Sequence, residues 1–264
     1  MAFLAPNCDD GPVARAVAKG SRRPREGLTL GGLLMLRTAF CPPIVALGLT
    51  LALASLATQP AGTPSALDRD PSGWVDLLAE AGPMLHGWTR ATLKPTDKLA
   101  EGSQWSLDPA TGVLTCRGDL GHEWLRYDKE QGNFIYHVEW KYLPLSTGKK
   151  GYNSGIYVRN SMDAKVWHQA QVGGGPDAFL FGETSTAIGE LKRFNLSKEQ
   201  ADKRVRPAGE WNTFEVTCQG KDVSLWVNGE VVNDWHGCDA PRGFVGLEAE
   251  GYQIEFRNVK LKPL

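Results

Sequence analysis

The sequence has no surplus of charge of either sign. Its 264 residues include 29 Lys and Arg against 30 Asp and Glu, a formal net charge of −1 at pH 7. Without a basic excess there is no electrostatic case for binding nucleic acid or an anionic membrane surface. The sequence also lacks the spacing of a zinc site, a phosphate-binding glycine loop, a dinucleotide fingerprint and a Ser/His/Asp signature. No nucleic-acid partner and no nucleotide cofactor are therefore expected.

Cysteine is too scarce to build a disulfide framework. Cys116, Cys218 and Cys238 follow the amino-terminal segment, and three cysteines permit at most one intrachain bridge. Cys218 follows Phe214 and Val216 at a spacing of two, as on one face of a strand. We therefore predict that Cys218 behaves as a small buried hydrophobe.

No apolar run is long enough to span a bilayer as a helix. The uncharged stretch 44–56 follows Arg37 and is shorter than the roughly 20 residues that a span needs. It runs into Ser55-Leu56-Ala57, which fits a small-x-small cleavage site. We therefore predict that residues 1–57 are a secretory signal peptide and that the secreted or periplasmic product does not insert into a membrane. Its length has two open explanations: a start assigned too early, with Met35 the normal start, or an unusually long basic lead.

The rest of the chain is predicted to contain one domain behind a linker. Residues 58–71 are rich in Pro and Gly, and we predict that the stretch up to about Leu67 is disordered. Residues 72–264 are long enough for one complete hydrophobic core. The nine tryptophans of the chain suit carbohydrate stacking, although most are expected to serve the core.

From Trp105 onward the apolar residues recur at a spacing of two, which is typical of β-strands. About eleven short strands separated by turn residues predict an all-β, antiparallel two-sheet sandwich or jelly roll. Asn228-Gly229 is a strong signal for a type I′ hairpin turn. Only 195–200 predicts a helix, because Ser197 and Gln200 have the spacing of a capping box.

One strand near the middle of the chain shows the alternation clearly. Tyr136, Val138 and Trp140 fall on one side, which we predict to face the second sheet. His137 and Glu139 fall on the other side, which we predict to face the ligand. The reverse arrangement would bury an unpaired carboxylate at a cost of several kcal/mol.

Planar polar side chains recur on two further predicted strands. The strand that begins at Asn153 also carries Tyr157 and Arg159 on the same side, and the next strand carries Gln169 and Gln171. Amide and guanidinium groups can make paired hydrogen bonds to vicinal hydroxyls, and an aromatic face can stack on a sugar ring. We therefore predict a carbohydrate ligand, with Asn153, Tyr157, Gln169 and Gln171 as substrate-binding residues.

Several of these residues belong to a series of landmarks that runs along the chain. The landmarks are Gly73-Trp74, Gly87-Trp88, Asn153-Ser154-Gly155-Ile156, Gly209-Glu210-Trp211-Asn212, Val227-Asn228-Gly229 and Glu255-Phe256-Arg257-Asn258-Val259. In order and spacing the chain resembles the 3-keto-disaccharide hydrolase domain family, also described as 3-keto-glucoside lyase/hydratase domains, over roughly residues 72–264. The resemblance implies a concanavalin A-like jelly roll with a sugar site on its concave sheet.

The sequence departs from the family pattern at one strand. The family usually has Glu-x-Gln-Ile-Asp there, whereas this chain has Gln169-Ala170-Gln171-Val172-Gly173. The first carboxylate is thus replaced by an amide and the aspartate is absent. If those carboxylates act as a base or metal ligand in the family, that role is lost or moved here. Residues 173–206, an insertion, are expected to form a covering loop.

The resemblance also implies a chemistry. A ketone at carbon 3 of a sugar acidifies the proton on carbon 2, so that the glycosidic bond can break by elimination before water adds to the enone. This route needs a base, a group that holds the enolate oxygen and a proton donor for the leaving group. We predict Glu139, His137 and Arg159 as the catalytic residues. His168, Glu248 and Glu250 lie on other predicted strands.

Other functions remain open from the sequence. The main alternative is a non-catalytic carbohydrate-binding β-sandwich module, and an adhesion or assembly domain without a pocket is a third. An ordinary glycosidase ranks lower, because no signature of its two carboxyl groups is present. No cofactor is evident. A divalent metal is compatible with His137 and Glu139, but two ligands are too few, so we assign no metal site.

Overall fold

The computed structural model describes residues 62–94, 96–145, 151–173, 177–186, 188–200 and 203–264. The predicted signal peptide, residues 1–57, lies outside the described residues. Within the ranges just given, no helix is long and apolar enough to cross a membrane.

The described residues form one short helix and fifteen strands. The helix is α1 (Ala66–Arg69). The strands are β1 (Val75–Asp76), β2 (Trp88–Thr92), β3 (Trp105–Asp108), β4 (Val113–Cys116), β5 (Glu123–Tyr127), β6 (Phe134–Tyr142), β7 (Asn153–Asn160), β8 (Trp167–Gly173), β9 (Leu180–Ser185), β10 (Leu191–Asn195), β11 (Asn212–Gln219), β12 (Asp222–Val227), β13 (Glu230–Trp235), β14 (Phe244–Ala249) and β15 (Ile254–Pro263).

The strands form two antiparallel sheets. Sheet A has eight strands, in the order β13-β12-β11-β6-β15-β4-β3, with β1 paired to β15. Sheet B has seven strands, in the order β10-β9-β8-β7-β14-β5-β2. The predicted all-β, antiparallel two-sheet sandwich is confirmed.

The core lies between the sheets and is filled by alternate residues of the strands. Tyr136, Val138 and Trp140 of β6 are buried there, and Ala170 and Val172 of β8 pack into the same cluster from the other sheet. Burying one large apolar side chain contributes about 1.5–3 kcal/mol. The predicted inward face of β6 is therefore confirmed.

The turn between β12 and β13 has the predicted hairpin geometry. Asn228 and Gly229 have φ angles of 45° and 111°, and a type I′ turn requires positive values at both positions. The side-chain oxygen of Asn228 also accepts a hydrogen bond from the N–H of Thr213 over 2.8 Å. The turn is thus tied to the neighbouring strand β11.

The three cysteines of the domain are unpaired. Cys116, Cys218 and Cys238 are all buried and take part in no disulfide within the described chain. Burial raises the pKa of Cys116 to about 12, so this thiol stays protonated. The prediction for Cys218 is confirmed, because it is fully buried within the core cluster.

Residues 63–70, which we call the strap, pack against sheet A. The N–H groups of Ala66 and Leu67 donate to the carboxylate of Glu215 over 2.6 and 3.1 Å. The N–H of Thr63 donates to the carbonyl of the β12–β13 turn over 2.7 Å. The prediction of disorder up to Leu67 is therefore wrong for the strap. Its composition resembles a linker, but a carboxylate far along the chain accepts its backbone donors.

The helix predicted at 195–200 does not form. The side chain of Asn195 accepts the N–H of Ser197 over 2.9 Å, which makes a local turn at the end of β10. Gln200 accepts the N–H of Ala178 over 2.9 Å instead of capping a helix. The capping-box prediction is wrong because the backbone N–H of Ser197 is bound by the Asn195 side chain and the side chain of Gln200 binds a distant backbone group.

The insertion at 173–206 does not act as a covering loop in its described part. It contains β9 and β10, which form a hairpin and extend sheet B at one edge. An extra hairpin widens the sheet face rather than closing over it. The prediction of a loop was wrong here because β9 pairs with β8 and β10 pairs with β9.

We predict that Glu215→Gln releases the strap. An amide side chain offers one acceptor oxygen in place of two, so Ala66 or Leu67 loses its partner. A hydrogen bond to a charged group contributes about 1.5–3 kcal/mol, and the free energy of unfolding should fall by an amount of that order. Urea unfolding measures this loss, and limited proteolysis should show faster cleavage within 63–70.

The matched control is Glu210→Gln, a change at an exposed residue just before β11 that leaves the strap contacts intact. Its stability and its cleavage pattern should match those of the unmodified protein. If the strap of Glu215→Gln resisted proteolysis as well as that of the unmodified protein, the carboxylate would not be what anchors it.

Candidate functional site

A cleft of about 510 Å³ opens on the face of sheet B that points away from the core. This volume lies in the range of about 300–1,000 Å³ that is usual for ligand sites. Asn153 and Tyr157 of β7, Gln169 and Gln171 of β8, and Glu248 of β14 line it. They reach the cleft because alternate residues of adjacent strands project from the same face.

Glu248 lies at the base of the cleft and is only 2% exposed. Its carboxylate accepts hydrogen bonds from the Tyr157 hydroxyl and from Gln169 Nε2, the latter over 2.8 Å. Nε2 of His122 lies 2.7 Å from Oε1 of the same carboxylate. These partners replace the water that burial removes, which is the condition for keeping a charge inside a protein.

Two glycines make the base of the cleft possible. A Cβ atom at Gly155 would overlap the amide of Gln169, which crosses above Gly155 to reach Glu248. A Cβ atom at Gly246 would lie 2.7 Å from the ring of Trp124, which packs over that position. The absence of side chains at these two positions therefore allows the Gln169–Glu248 contact and the packing of Trp124.

Glu250 follows β14 directly and faces the cleft beside Glu248. Asn153 Nδ2 donates to its Oε2 over 2.5 Å, and Gln171 Nε2 in turn donates to Asn153 Oδ1 over 2.7 Å. Burial raises the pKa of Glu250 above its ordinary 4.5, and the charge of Glu248 raises it further. A carboxyl group with a raised pKa at a cleft is suited to proton transfer near neutral pH.

His122, just before β5, completes the group of ionisable side chains. Its Nε2 lies 2.7 Å from Glu248 and 3.8 Å from Glu250. Partial burial lowers the pKa of His122, but the hydrogen bond to Glu248 and the charges of both carboxylates outweigh it. The net effect raises the pKa above 6.5. The imidazole is therefore held toward its protonated, proton-donating form.

Tyr157 serves as a neutral donor in this group. Burial raises its pKa well above 10, and the adjacent charge of Glu248 raises it further. Its phenol consequently stays protonated and donates to Glu248 at all physiological pH values. The edge of its ring also packs against Trp124, with ring centroids 5.6 Å apart.

The same group has the composition of a metal site. One ligand atom each from His122, Glu248 and Glu250 lie within 4.8 Å of one another. Imidazole and carboxylate ligands suit a divalent metal ion. Binding would require His122 to exchange its hydrogen bond with Glu248 for a bond to the ion. The residues present therefore fit a metal in number and kind, although the hydrogen bonds of Glu248 are complete without one.

The four predicted substrate-binding residues, Asn153, Tyr157, Gln169 and Gln171, all line this cleft. His122, Glu248 and Glu250 line it as well, and they were not among the predicted site residues. Glu248 and Glu250 were visible as acidic residues two apart on a predicted strand. No signal marked His122, because it precedes its strand and is brought in only by the pairing of β5 with β14.

His137 and Glu139 do not reach the cleft. They lie on β6 of sheet A, on the face covered by the strap, where His137 Nδ1 is 2.8 Å from Glu215. The prediction that they face the ligand with Asn153 is therefore wrong. Their alternation was assigned correctly, but β6 belongs to the opposite sheet.

The surroundings of Glu139 also make it a poor general base. Arg257 Nε and Asn258 Nδ2 donate to its carboxylate over 2.7 and 2.6 Å. Burial raises the pKa of Glu139, but contacts with His137, Asn258 and Arg257 outweigh this and lower the pKa to about 2. A carboxylate with so low a pKa takes up protons weakly.

Arg159 points away from the cleft as well. Its φ angle is +50°, at a shift in the register between β7 and β14, so it leaves the alternation of the strand. The guanidinium is fully buried and donates to the carbonyls of Gly132, Gly220 and Ala240 over 2.9, 2.7 and 3.1 Å. The prediction that Arg159 lines the cleft is wrong, because the bulge turns its side chain toward three loops.

His168, another candidate, faces the core side of β8. Its Nδ1 lies 3.2 Å from the carbonyl of Val158. Burial lowers the pKa of His168 to about 4, so the ring is neutral at physiological pH. It packs near Phe194 and Trp235, at ring distances of 6.0 and 5.7 Å. These contacts show that His168 is part of the interior of the domain.

The fold and the site define an all-β sandwich with a carboxylate–imidazole cleft on one sheet. The family model for the 3-keto-alpha-glucoside-1,2-lyase-like domain matches residues 73–262. The chain therefore belongs to the 3-keto-disaccharide hydrolase family. None of the functionally curated proteins matches the sequence significantly.

Solved structures share the fold at low sequence identity. A protein from Parabacteroides distasonis ATCC 8503, provisionally described as a glycosyl hydrolase, is 20% identical with a TM-score of 0.50, over 77% of this chain and 99% of its own. Carbohydrate-binding module CBM66 from Bacillus subtilis is 16% identical with a TM-score of 0.48, over 66% and 94%. Bacillus licheniformis β-glucanase is 12% identical with a TM-score of 0.43, over 72% and 97%.

We predict that Arg159→Ala destabilises the fold rather than the site. The change removes the side-chain donor of the Gly132 and Gly220 carbonyls. It also removes one of two donors from the Ala240 carbonyl and from Asn133 Oδ1, which keep contacts with Cys238 Sγ and the Gly220 N–H. Each buried polar group left unsatisfied costs about 1–3 kcal/mol, so the free energy of unfolding should fall by at least about 2 kcal/mol. Denaturant unfolding measures the loss. Arg159→Lys should restore little, because an ammonium lacks the fork of five donors.

Arg117→Ala is the control, since Arg117 pairs with Asp119 at the surface, where an ion pair is worth about 0–1 kcal/mol. If Arg159→Ala kept full stability but lost ligand binding, Arg159 would belong to the functional site after all.

Proposed function

We propose that this protein binds glycosides in the cleft of sheet B and cleaves 3-keto-glycosides by elimination followed by hydration. The observation that carries the proposal is the convergence of His122, Glu248 and Glu250 within 4.8 Å beside three amides and a phenol. Family membership supports the substrate class. The predicted signal peptide would place this reaction outside the cytoplasm.

Glu250 is the group best suited to act as the base. Its Oε2 is held by Asn153, its pKa is raised, and its side chain is 36% exposed toward the cleft. In the proposed reaction Glu250 takes the proton from carbon 2 of the 3-keto sugar, and the electron pair passes to the ketone oxygen as an enolate. The enolate then expels the glycosidic oxygen from carbon 1, leaving a double bond between carbons 1 and 2.

His122 is the group best suited to donate a proton. The neighbouring carboxylates hold it toward the imidazolium form, which can protonate the departing glycosidic oxygen. Water then adds its oxygen to carbon 1 and a proton to carbon 2 of the enone, so the net reaction is hydrolysis. Glu248 and Tyr157 position His122 and Gln169 rather than exchange protons, because the contacts of Glu248 are already made.

The alternative is a carbohydrate-binding module without turnover, and one observation favours it. Gln169 stands where the family pattern has glutamate, and its amide occupies Glu248 Oε2 over 2.8 Å. A site whose buried carboxylate is fully occupied by donors can bind hydroxyl groups without transferring a proton. The two functions differ in one measurable respect, the consumption of the ligand.

We expect the domain to release the aglycone from a methyl 3-keto-glucoside, supplied as both anomers. Glu250→Gln should lower kcat about 10²–10⁴-fold, the usual contribution of a general base, while the protein still folds and binds ligand. Glu255→Gln is the matched control, because Glu255 pairs with Lys141 on sheet A and leaves the cleft unchanged. Product release is followed by chromatography, and ligand binding by calorimetry.

Three outcomes would change the interpretation. Binding without product release by the unmodified domain would leave the binding module as the function. Loss of turnover on chelation, restored by a divalent ion, would show that His122, Glu248 and Glu250 act on a metal rather than as a proton-transfer group. Equal turnover in Glu250→Gln would remove Glu250 as the base.

The pH dependence of turnover should report the raised pKa values. Glu250 must be deprotonated, so the acid limb should lie above pH 4.5, and His122 must be protonated, so the alkaline limb should lie above pH 6.5. Glu248→Gln removes a negative charge beside both groups. Both limbs should then move to lower pH. The charge of Lys94 lowers the pKa of His122 in the unmodified protein and in the variant alike.

The pKa of His122, measured by NMR, checks this independently of turnover. It should fall in Glu248→Gln and stay unchanged in Glu255→Gln. An unchanged pKa in Glu248→Gln would mean that the contact with Glu248 does not hold the imidazole in its protonated form.

A further inference from the structure

The cleft has a second end that the proposed reaction does not use. Trp167 of β8 and Phe181 of β9 line it, with ring centroids 5.2 Å apart and planes at 87°. We call this pair the aromatic corner. One ring face and one ring edge meet there at nearly a right angle, where β8 pairs with the first strand of the inserted hairpin.

The register of the strands places the aromatic corner next to the polar end. Tyr157 pairs with Gln169, and Gln169 pairs with Phe181 on the next strand. Adjacent strands lie about 4.8 Å apart, so the corner is about 10 Å from Tyr157. A ligand whose sugar ring lies near Glu250 can therefore extend its leaving group across Gln169 to the corner.

Hydrogen-bonding groups are few at this end of the cleft. Among the described lining residues they are the indole N–H of Trp167 and the side chains of Glu183 and Arg193, which pair with each other at 3.8 Å. Arg193 lies at the exposed rim, and its guanidinium sits 6.0 Å from the ring of Trp167. A second sugar ring would bring hydroxyl groups around its whole edge into this apolar corner, where most would lack partners.

We infer that the aromatic corner binds a planar aromatic aglycone, so that aryl glycosides are the substrate class of this cleft. This inference rests on the proposed function for the direction in which the sugar lies. An aromatic ring stacked on one member of the corner presents its edge to the other, and both arrangements are favourable. Arg193 adds a cation at the rim, which suits the electron-rich face of a phenolic ring.

The test compares ligands that differ only in the aglycone. Calorimetry measures the affinity of phenyl and methyl glucosides, both anomers, each in the unoxidised and the 3-keto form. The 3-keto ligands are measured in Glu250→Gln so that they are not consumed. We expect the phenyl ligand to bind at least about tenfold more tightly than the methyl ligand, a difference of about 1.4 kcal/mol.

Trp167→Ala and Phe181→Leu should each reduce this phenyl preference to within about threefold, while the affinity for the methyl ligand stays the same. Phe181→Leu keeps an apolar side chain and guards against a loss of folding in the alanine variant. Trp211→Ala is the matched control, because Trp211 lies beside Arg257 and Lys141 on the other sheet. It should keep the full preference.

Three results would overturn the inference. The phenyl and methyl ligands could bind equally, or the preference could survive in both corner variants. A glucosyl-glucose disaccharide could also gain as much affinity as the phenyl ligand and lose it in Trp167→Ala, which would identify a second sugar subsite. Turnover of the methyl 3-keto-glucoside does not involve the corner, so failure of the proposed reaction is seen separately from failure of this binding preference.

Discussion

The buried carboxylate of Glu248 is the interaction on which the site depends. A charge that is 2% exposed is tolerated only if protein groups replace its water, and the replacements come from β7, β8 and the residue before β5. Each of these partners is thereby drawn to the same point of sheet B. Gly155 allows the contact with Gln169, because a Cβ atom there would overlap the Gln169 amide. The geometry of the cleft thus follows from satisfying one charge.

The two sheets use their outer faces in different ways. On sheet A, the strap binds Glu215, which in turn contacts His137. Glu139 forms an ion pair with Arg257 and accepts a hydrogen bond from Asn258. On sheet B, the corresponding face stays open, and His122, Glu248 and Glu250 lie close together beside the cleft. A His and a carboxylate two residues apart are therefore structural on one sheet, whereas residues from separate parts of the chain bring an imidazole and two carboxylates together on the other.

The charge distribution explains how the cleft could support proton transfer despite the amide at position 169. Gln169 removes one carboxylate from the family pattern, but it stabilises Glu248 and leaves Glu250 with a raised pKa and a free path to the ligand. The same neutral amide separates the polar end from the aromatic corner. A cleft with one charged end and one apolar end matches the aryl glycosides that we propose as its ligands, since these are divided into a sugar and an apolar group.

The sequence by itself determined most of the strands, though not β9 and β10, together with the turn at Asn228-Gly229, the inward face of β6 and the four polar residues that line the cleft. These follow from alternation and turn chemistry, which depend on neighbours one to three residues away. It did not determine which sheet β6 joins, the bulge that turns Arg159 inward, or the pairing that brings His122 to Glu248. Those depend on contacts between distant strands, and alternation is identical for a strand of either sheet, so only the tertiary structure decided them.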